Sequence, residues 1–399
     1  MKVAMLIPDN RDEFRRHADP EPQFGPAPTA LLEGLAQHPE CEVHVVCCVQ
    51  RPVRAPAKLG TNIFYHALLV PKWGWLRGGY LGCIHAVRGE LRGIQPDLVH
   101  GQGTERYCAL AAARSGLPNL TTIHGNMRAL ARLSRARPFS FAWLAARLEG
   151  MTLPRTGGVM CNSRHTHDLV APLARQTWLV PNAVQTAFFG PPAGPPASPP
   201  VILNVGTVLP NKRQLDVLRM GRQLARAGRQ FRLRFFGRCD ESTTYGASFS
   251  REVRQARAEG WADHRSEVPT AELVREMDSA SAMVHVPVEE AFGLVVAEAL
   301  ARNLKFFGAR VGGVPDIAES VEAAELFAPE DEAGLAAALS RWLASGAPRP
   351  TTAADEMRVR FHPEVVALRH LEIYRELLAE RGAGSGEKWI AAGLRREVS

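Results

Sequence analysis

The sequence predicts an α/β protein with two domains, each built on a parallel β-sheet that helices cover on both faces. Strand-like apolar runs alternate with helical patterns, and a proline-rich stretch interrupts this alternation once before it restarts. Repeated strand–helix–strand units with short connections favour parallel sheets of this kind. The chain of 399 residues is long enough for two domains of ordinary size.

The first domain is predicted over residues 1–182 and begins with an apolar, strand-like run, MKVAMLIP. A proline-rich loop and the helical pattern TALLEGLAQH lead to a second strand, EVHVVCCV. Four further strands follow, within PDLVHGQG, LTTIHGN, GGVMCNS and TWLVPN. Ligands bind beyond the carboxyl ends of the strands in open parallel sheets, so we expect functional residues in the loops after these strands.

The proline-rich stretch AGPPASPP lies in a predicted linker over residues 183–200, since proline at this density cannot join a sheet ladder or a helix. The second domain, over residues 201–362, contains the strands VILNVGT, FRLRFFG, AMVHVP and KFFGAR. A helix over residues 363–382 is predicted to end at Gly382, and residues 383–399 form either a marginal amphipathic helix or a disordered tail. With two such domains, we expect the ligand in the cleft between them.

The composition indicates which classes of partner and which cellular compartment to expect. Lys and Arg number 48 against 41 Asp and Glu, and this basic balance favours anionic partners such as acidic lipid surfaces or phosphorylated substrates. No nucleic-acid-binding module or dense basic run is evident, so nucleic acid is not an expected partner. The seven cysteines form no Cys-x-x-Cys pair, and neither a signal peptide nor a long uncharged apolar run is evident. We therefore expect the reducing cytoplasm.

The stretch PVEEAFGLVVAEAL carries the strongest functional signal. On one continuous helix, Glu290 and Glu298 would lie about 12 Å apart along the axis and could hardly share a small ligand. If Gly293 begins the helix instead, Glu290 lies in the loop above the strand AMVHVP and Glu298 projects from the second turn. The free amides at the helix start then form an anion site with a carboxylate on either side. These amides belong to Phe292, Gly293 and Leu294. Such a site suits a nucleotide sugar, whereas the alternative is an amphipathic helix with solvated acids.

The segment NVGTVLPNKRQLD offers a cation for the same ligand. Gly206 ends a strand here, and Lys212 lies in the turn before a helix. A lysine at this position can neutralise a diphosphate as a point charge. The structural alternative is a solvent-exposed loop lysine. Arg213 is a second candidate for the same role.

In the first domain, the segment TTIHGN places His124 at the carboxyl end of a strand. A lone histidine is more often structural than catalytic, but a position at a strand end favours an active-site role. Gly25 lies between a long loop and a helix, where a glycine would let the backbone approach phosphates closely.

Two other patterns give weaker signals. His165 and His167 form a His-x-His pair, but no third ligand is evident nearby, so a zinc site is not expected. The segment VHGQGTERYCALAAA resembles a dinucleotide fingerprint, yet Arg106 stands where the third glycine would be. We therefore predict neither a metal nor a dinucleotide cofactor.

Taken together, these segments resemble the retaining glycosyltransferases of family 4, which have the GT-B architecture. The resemblance extends over nearly the whole chain and includes the segments VMCNSRHTHDLV, VPNAVQTAFF and VGGVPDIAE. It implies two Rossmann-like domains that face a cleft, with a C-terminal helix that crosses back to the first domain. It also implies transfer of a sugar from a UDP- or GDP-linked donor to a saccharide or lipid-linked acceptor, without a cofactor. The expected setting is the synthesis of cell-surface polysaccharides or glycolipids.

Carried over to the matching positions, the resemblance assigns a role to each candidate residue. Glu290 would hold hydroxyls of the donor sugar and stabilise its developing charge, and Glu298 would bind the nucleotide ribose. Lys212, together with the amides at the start of the following helix, would hold the diphosphate. His124 would contact the transferred sugar near the reaction centre, and Gly25 would let the first domain close on the phosphates.

The chain departs from the family pattern at several positions, including Thr207, Asn303 and Asp316. The family usually has an arginine directly after the strand-ending glycine, where this chain has Thr207. One half of the diphosphate clamp is then missing, unless Arg213 or an arginine of the first domain compensates. Asn303 in place of a glycine and Asp316 in place of a glutamate are milder departures.

Basic and aromatic residues occur together in two segments of the first domain, VPKWGWLRGGYLG and RALARLSRARPFSFAWLAARLEG. An interfacial helix needs this mixture against anionic lipid, so one interpretation is a peripheral role at the inner face of a membrane. The other interpretation is that ordinary helices pack on the sheet with their arginines facing water.

Two alternative functions remain open at this point. An epimerase or hydrolase of the same architecture would act on the sugar nucleotide without an acceptor. A non-catalytic sugar-nucleotide-binding assembly protein would keep the fold without turnover. Thr207 is the only feature that favours such a protein, whereas Glu290, Glu298 and Lys212 favour an enzyme.

Overall fold

The computed structural model describes the backbone of residues 1–393 and the side chains of residues 1–380. The strands are β1 (Lys2–Leu6), β2 (Glu42–Val49), β3 (Ile63–Leu69), β4 (Leu98–Gln102), β5 (Asn119–Ile123), β6 (Val159–Cys161), β7 (Thr177–Leu179), β8 (Val201–Val205), β9 (Arg232–Phe236), β10 (Ala262–Arg265), β11 (Ala282–His285), β12 (Lys305–Ala309) and β13 (Ala324–Phe327). The helices are α1 (Arg11–Phe14), α2 (Pro26–Leu35), α3 (Leu81–Ile94), α4 (Cys108–Ala113), α5 (Met127–Leu133), α6 (Phe141–Thr152), α7 (Arg164–Val170), α8 (Gln214–Arg226), α9 (Thr244–Ala258), α10 (Thr270–Ser279), α11 (Leu294–Ala301), α12 (Val314–Ala318), α13 (Glu332–Ala344), α14 (Ala353–Phe361) and α15 (Pro363–Gly393).

The chain forms two compact units, and each holds a parallel sheet. The first unit contains the chain up to Ala183 together with the helix that begins at Pro363, and the second unit contains Val184–His362. The seven-stranded sheet has the order β3-β2-β1-β4-β5-β6-β7, and the six-stranded sheet has the order β10-β9-β8-β11-β12-β13. Neighbouring strands in both sheets run parallel. The predicted pair of parallel-sheet α/β domains is therefore confirmed.

Each sheet has one point at which the strand order reverses. The first sheet grows from β1 to β3 on one side, and then continues from β4 on the other side of β1. The second sheet makes the same reversal between β8 and β11. Loops diverge at the strand ends of such a switch point and leave a crevice in which ligands bind. The topology thus singles out the loops after β4, β8 and β11.

Strand burial follows the sequence pattern. β2 reads as a continuous apolar run, and its burial extends along the whole strand after the first residue, because helices cover both faces of the sheet. β3 lies at the sheet edge, where Ile63 and Tyr65 are buried while Ala67 and Leu69 are exposed. The apolar runs therefore mark the central strands more strongly than the edge strand.

Part of the predicted linker packs into the second unit instead of bridging two domains. The linker was predicted over residues 183–200, but Val184, Phe188 and Phe189 are buried in the core of the second unit. The guanidinium of Arg302 donates hydrogen bonds to backbone carbonyls of this segment. Two adjacent phenylalanines carry enough apolar surface to anchor the segment, and the proline-rich residues after Phe189 are exposed as a connector would be.

Helix α15 returns the chain to the first unit after the second unit is complete. It starts at the predicted residue and buries Leu371 and Tyr374 in the core against β1 and its neighbours. The predicted end at Gly382 is wrong, because the helix continues to Gly393. Gly382, Gly384 and Gly386 all lie inside the helix, and each costs about 1 kcal/mol relative to alanine, which weakens the helix without ending it. The first part of the predicted tail is thus helical, and residues 394–399 lie outside the described residues.

Candidate functional site

The second unit gathers most of the predicted site residues around its switch point. β11 ends at His285, and α11 begins at Leu294 after Gly293, whose φ of 97° lies in the left-handed region that glycine tolerates best. The structure thus confirms that Gly293 precedes the helix. Glu290 lies in the loop above β11, and Glu298 lies in the second turn of α11, as the sequence predicted.

Neighbouring residues hold the backbone on both sides of this helix start. The Gly313 N–H donates to the Glu290 carbonyl oxygen at 2.9 Å. A Cβ at Gly312 would lie only 1.8 Å from the same oxygen, so no side chain fits there. The Phe292 ring is buried and packs edge-on against Phe361, with ring centroids 5.6 Å apart. These contacts fix the loop geometry and leave the amides at the start of α11 in a defined position.

The Glu290 carboxylate is the centre of a three-residue cluster. Its Oε2 atom accepts from Lys212 Nζ at 2.6 Å and from His285 Nε2 at 3.0 Å. Burial alone would raise the pKa of Glu290, but the hydrogen bond from His285 and the charge of Lys212 outweigh it and lower the pKa to about 2. Burial lowers the pKa of His285, so this imidazole is neutral. Glu290 is therefore ionised at every physiological pH.

Lys212 reaches Glu290 because the two loops are joined through their backbones. Lys212 ends a short 3-10 turn that begins at Pro210, and the Val288 N–H donates to the Asn211 carbonyl oxygen at 2.7 Å. The Lys212 and Glu290 side chains are 22% and 16% exposed, so the ion pair is open to a ligand without being fully solvated. A diphosphate at the ammonium group would compete with Glu290 for the same cation.

Glu298 is a buried carboxyl group without a polar partner. It is 7% exposed, and among the described residues neither a hydrogen-bond partner nor a charge contributes to the shift of its pKa. Burial raises the pKa of Glu298 to about 7. A buried polar group without a partner costs stability, so hydroxyl groups of a ligand would satisfy Glu298 at a gain.

The loop after β8 is open above its glycine. Gly206 has a φ of 149°, and a Cβ there would meet no atom within 4 Å. Gly237, at the end of β9, has a φ of 144°, and its Cβ would lie 2.1 Å from the Gly206 carbonyl oxygen. Two glycines therefore let the ends of these strands approach each other. Thr207, where the family has an arginine, is exposed.

Arg213 lies apart from the cluster of Glu290. Its guanidinium donates to Asp216 at 2.5 Å, to Glu332 at 2.6 Å and to the Pro329 carbonyl oxygen at 2.6 Å. These contacts join the start of α8 to the start of α13. The structure therefore gives no support to the prediction that Arg213 replaces the missing arginine at Thr207.

In the first unit, His124 follows β5 and contacts the neighbouring strand. Its Nε2 atom lies 2.7 Å from Oε1 of Gln102, the last residue of β4. Burial lowers the pKa of His124 to about 4, and the side chain of Asn182, which lies beside the ring, opposes this shift. Gln102 was not among the predicted site residues, although it lies in the segment that resembles a dinucleotide fingerprint. Its place at the end of β4, beside the switch point, was the available signal.

Gly25 occupies the N-cap position of α2. Its backbone is extended, with a φ of −63°, and its nearest contact for a Cβ would be Pro28 at 3.7 Å. Neither the backbone nor the packing requires a glycine here. The close approach of a ligand is therefore the reason that is left for a glycine at this position.

Two carboxyl groups, the buried Glu149 and the half-buried Glu105, lie close to His124 and were missed from the sequence. The carboxylate of Glu105 lies over Gly103 and Gly125, since Cβ atoms there would be 2.1 and 3.1 Å from its oxygens. Burial raises the pKa of Glu105 to about 7. Glu149 accepts from the Thr104 hydroxyl and from amides at the start of α5, so it ties the loops after β4 and β5 together. No local pattern marks these two glutamates.

The two basic and aromatic segments differ in exposure. Trp73 is 76% exposed, but Tyr80 in the same segment is buried. In the second segment Phe139 and Phe141 are 80% and 52% exposed at the start of α6, and Arg147 stacks on Trp143 at 4.9 Å. No helix within residues 1–393 is long and apolar enough to cross a membrane. Each segment therefore exposes large apolar side chains, Trp73 and Leu81 in the first and Phe139 and Phe141 in the second.

The histidine pair and the cysteines do not form a metal cluster in the described part of the chain. Within residues 1–393, no three His, Cys, Asp or Glu side chains lie close enough together to hold an ion. His167 contacts Asp168 at 3.2 Å on the surface of α7. The cysteines are free thiols, six of them buried.

Two family profiles match the chain. The profile described as Glycosyltransferase Family 4 matches residues 29–188, and the profile described as Glycosyl transferases group 1 matches residues 190–361. The second match contains Lys212, Glu290 and Glu298. A comparison with curated protein sequences finds no match.

Solved structures with the same fold are numerous, and three illustrate the range. Sucrose-phosphate synthase from Thermosynechococcus elongatus has a TM-score of 0.78 at 19% identity, over 95% of this chain and 100% of that chain. HepE from Anabaena, in complex with UDP and glucose, has a TM-score of 0.67 at 14% identity, over 94% of this chain and 100% of that chain. The apo form of the lipopolysaccharide outer core galactosyltransferase WaaB has a TM-score of 0.66 at 15% identity, over 94% of this chain and 100% of that chain. At these identities the similarity concerns the fold.

Proposed function

Because the chain belongs to the glycosyl transferases group 1 and has their GT-B fold, we propose that it is a retaining enzyme that uses a nucleoside diphosphate sugar. The observation that carries this proposal is the cluster of Lys212, Glu290 and His285 beside the start of α11. A cation, a fixed carboxylate and free amides meet there, which is the set of groups that an activated sugar requires.

The diphosphate of the donor is bound by Lys212 and the amides at the start of α11. The ammonium group supplies a full charge, and the helix start adds oriented N–H groups. Both stabilise the negative charge that develops on the diphosphate when its bond to the anomeric carbon breaks. Displaced from Lys212, the Glu290 carboxylate remains held by His285 and becomes free to accept from sugar hydroxyls.

Glu290 acts as an anion and not as a proton donor. With a pKa of about 2 it carries its negative charge throughout the reaction, and it stabilises the positive charge on the sugar electrostatically. The acceptor hydroxyl attacks the anomeric carbon on the face from which the diphosphate leaves, and the departing phosphate oxygen takes the acceptor's proton. His124 contacts the transferred sugar, and Glu298 binds the ribose hydroxyls through its otherwise unpartnered carboxyl group.

A uridine donor is the first to test. HepE has been solved with UDP, and a trehalose-6-phosphate protein of E. coli with UDP-2-fluoro glucose, which supports UDP over GDP for this fold. A thermal-shift screen of UDP, GDP and their sugars identifies the base, since a bound nucleotide raises the melting temperature by mass action. A UDP-linked sugar is expected to stabilise the chain most. Failure of all nucleotides to shift the melting temperature would overturn the proposed donor class.

The acceptor is a saccharide or a lipid-linked saccharide in the synthesis of cell-surface polysaccharides or glycolipids. We propose that the first unit reaches such acceptors at the inner face of an anionic membrane through the exposed Phe139 and Phe141 and the arginines of α5 and α6. Exposed aromatic rings beside arginines are suited to the headgroup boundary.

Flotation with anionic vesicles tests the membrane proposal. Phe139→Ser combined with Phe141→Ser should abolish flotation at low salt, whereas Val359→Ser, at an equally exposed position of the second unit, should not. Binding of the wild-type chain should weaken as salt rises. Absence of wild-type binding at low salt would leave a soluble saccharide as the acceptor.

The two alternative functions give different products in a transfer assay. An epimerase or hydrolase would release free or altered sugar without any acceptor, and a binding protein would hold the nucleotide sugar without turnover. Transfer that requires an acceptor and keeps the anomeric configuration supports the retaining glycosyltransferase.

A further inference from the structure

A small enclosed cavity in the first unit lies beside His124. Its volume of about 10 Å³ is close to the least that holds one water molecule. The start of α2, the ends of β4 and β5, the loop after β7 and helix α15 all contribute to its wall. Its polar lining consists of Gln102, Thr122, His124, Asn182 and His370.

The hydrogen bond of His370 fixes which of its nitrogens carries the proton. His370 Nδ1 lies 2.8 Å from the Val366 carbonyl oxygen, one turn earlier in α15. A carbonyl oxygen only accepts, so Nδ1 carries the hydrogen and the neutral ring has a lone pair on Nε2. That Nε2 atom is buried and has no hydrogen-bond partner among the described residues.

The same reasoning fixes the ring of His124. Its Nε2 donates to Oε1 of Gln102, and the amide nitrogen of Gln102 lies 3.2 Å from Nε2 of the buried His100. His100 is itself held by the Tyr374 hydroxyl at 2.7 Å. With Nε2 protonated, His124 has its lone pair on Nδ1. This atom is buried and has no partner at hydrogen-bond distance and angle, although the side chain of Asn182 lies near the ring and favours its charged form.

Both rings are neutral at physiological pH. Burial is the main cause that lowers the pKa of His124 and of His370 to about 4, and each of the three neighbouring histidines, His100 included, disfavours charge on another. Two neutral rings thus line one cavity with two unsatisfied acceptors. Two acceptors cannot hydrogen-bond to each other, and leaving both buried without a donor lowers the stability of the fold.

We propose that one water molecule occupies this cavity and donates a hydrogen bond to Nδ1 of His124 and to Nε2 of His370. Water is the small molecule with two hydrogens, and the polar side chains around the cavity can donate to its oxygen. His370 is then a positioning residue, because the water joins α15 to the ring of His124. The water site rests on the hydrogen-bond geometry of two neutral rings, and only its catalytic consequence rests on the proposed function.

Nuclear magnetic resonance of the full chain with ¹⁵N-labelled histidine tests the water directly. We expect His124 protonated at Nε2 and His370 protonated at Nδ1, with magnetisation transfer from a long-lived water to the ring hydrogens of both. His370→Leu should abolish the transfer to His124. A protonated Nδ1 on His124, or no water contact in the wild-type chain, would overturn the proposal. If the Nδ1 resonance of His124 shifts in Asn182→Ala but not in His370→Leu, Asn182 is the hydrogen-bond partner of Nδ1, and the proposal is overturned as well.

Kinetics then tests the positioning role. His370→Leu should lower kcat on the order of tenfold with little change in KM for the donor, since the ring of His124 loses its alignment. His370→Gln, whose amide oxygen can accept from the water, should restore most of the activity. Leu371→Ala weakens the same helix without touching the cavity and controls for stability. Equal loss in all three variants would make His370 merely structural. Absence of sugar transfer by the wild-type chain would overturn the proposed function, whereas the magnetic resonance result on the water would be unaffected.

Discussion

Both units place their functional residues at strand ends, at the switch point in the second sheet and one strand beyond it in the first, yet the electrostatics of the two places are opposite. In the second unit, Lys212 and Glu290 form an ion pair, and the pKa of Glu290 falls to about 2. In the first unit, burial keeps His124 neutral and raises the pKa of Glu105 to about 7. The topology of a parallel sheet thus determines where a site forms, and the loops determine whether it offers charges or neutral hydrogen-bonding groups.

This contrast has a chemical meaning. A diphosphate needs a cation and oriented amides, which the second unit supplies. A neutral sugar is better matched by uncharged polar groups, such as the imidazole of His124 and the carboxamide of Gln102, which do not attract competing ions. Four predictions test this division of labour, in order of expected effect.

The largest effect is expected for the fixed carboxylate. Glu290→Gln should lower kcat by about 10²–10³-fold, because it removes a preorganised charge that stabilises the transition state. Glu289→Gln is the matched control and should retain most of the activity. Steady-state transfer and donor-hydrolysis assays measure both, with circular dichroism to confirm folding. Loss of activity only in the Glu289 variant would show that the register is wrong by one residue.

The second prediction concerns the unpartnered Glu298. Its pKa is about 7 in the folded chain against a usual 4.5, so the unfolded chain ionises first and stability falls as pH rises from about 4.5 to 7. Glu298→Gln should therefore stabilise the ligand-free chain at pH 8, by up to about 3 kcal/mol. Denaturant unfolding at pH 5 and pH 8 measures this difference.

Glu105 provides the comparison between the units, since burial raises its pKa to the same value. Glu105→Gln should change the pH dependence of stability in the same direction. Only Glu298→Gln, however, should remove the increase in nucleotide affinity that we expect as pH rises through 7 and the carboxylate becomes able to accept from ribose hydroxyls. If both variants bind the nucleotide equally at every pH, Glu298 is not the ribose ligand.

The third prediction separates two adjacent cations. Lys212→Ala should weaken donor binding by about tenfold or more, as expected for a lost hydrogen bond to a charged group. Arg213→Ala should lower stability slightly and leave donor affinity nearly unchanged, because Arg213 joins α8 to α13 through Asp216 and Glu332. Isothermal titration with the nucleotide distinguishes them. A larger loss of affinity in the Arg213 variant would contradict the geometry.

The smallest effect is expected from restoring the family's arginine. Thr207 is exposed, and the space above Gly206 is open. Thr207→Arg should therefore fold normally and tighten donor binding a few-fold, the size expected of a solvent-exposed ion pair. Titration of the variant against the wild-type chain measures the gain. Weaker binding would mean that the open space accommodates the donor itself.

Local patterns in the sequence predicted the part of the site whose residues lie close together in the chain. A glycine directly before an apolar run is typical of a helix start, where the backbone can adopt a left-handed conformation. This interpretation of Gly293 placed Glu290 and Glu298 correctly relative to α11. The sequence also assigned Lys212 to the same ligand as Glu290, whereas the ion pair between the two side chains is a finding of the structure.

The contacts that the sequence did not predict depend on distant residues. His285 joins the cluster only because β11 ends directly under the loop of Glu290. Arg213 is drawn to Glu332, more than a hundred positions away in the chain, and no local pattern records that attraction. The continuation of α15 past Gly382, Gly384 and Gly386 runs against the local glycine signal, which costs about 1 kcal/mol per residue and does not by itself decide where a helix ends.

The course of α15 has a consequence for how the protein is made. The first unit lacks one wall of its core until Leu371 and Tyr374 arrive, and these residues leave the ribosome only after the whole second unit. The second unit can therefore fold during translation as a continuous segment, whereas the first must wait with part of its apolar surface uncovered. A released chain that ends at His362 would carry one complete unit and one whose uncovered apolar surface chaperones can bind.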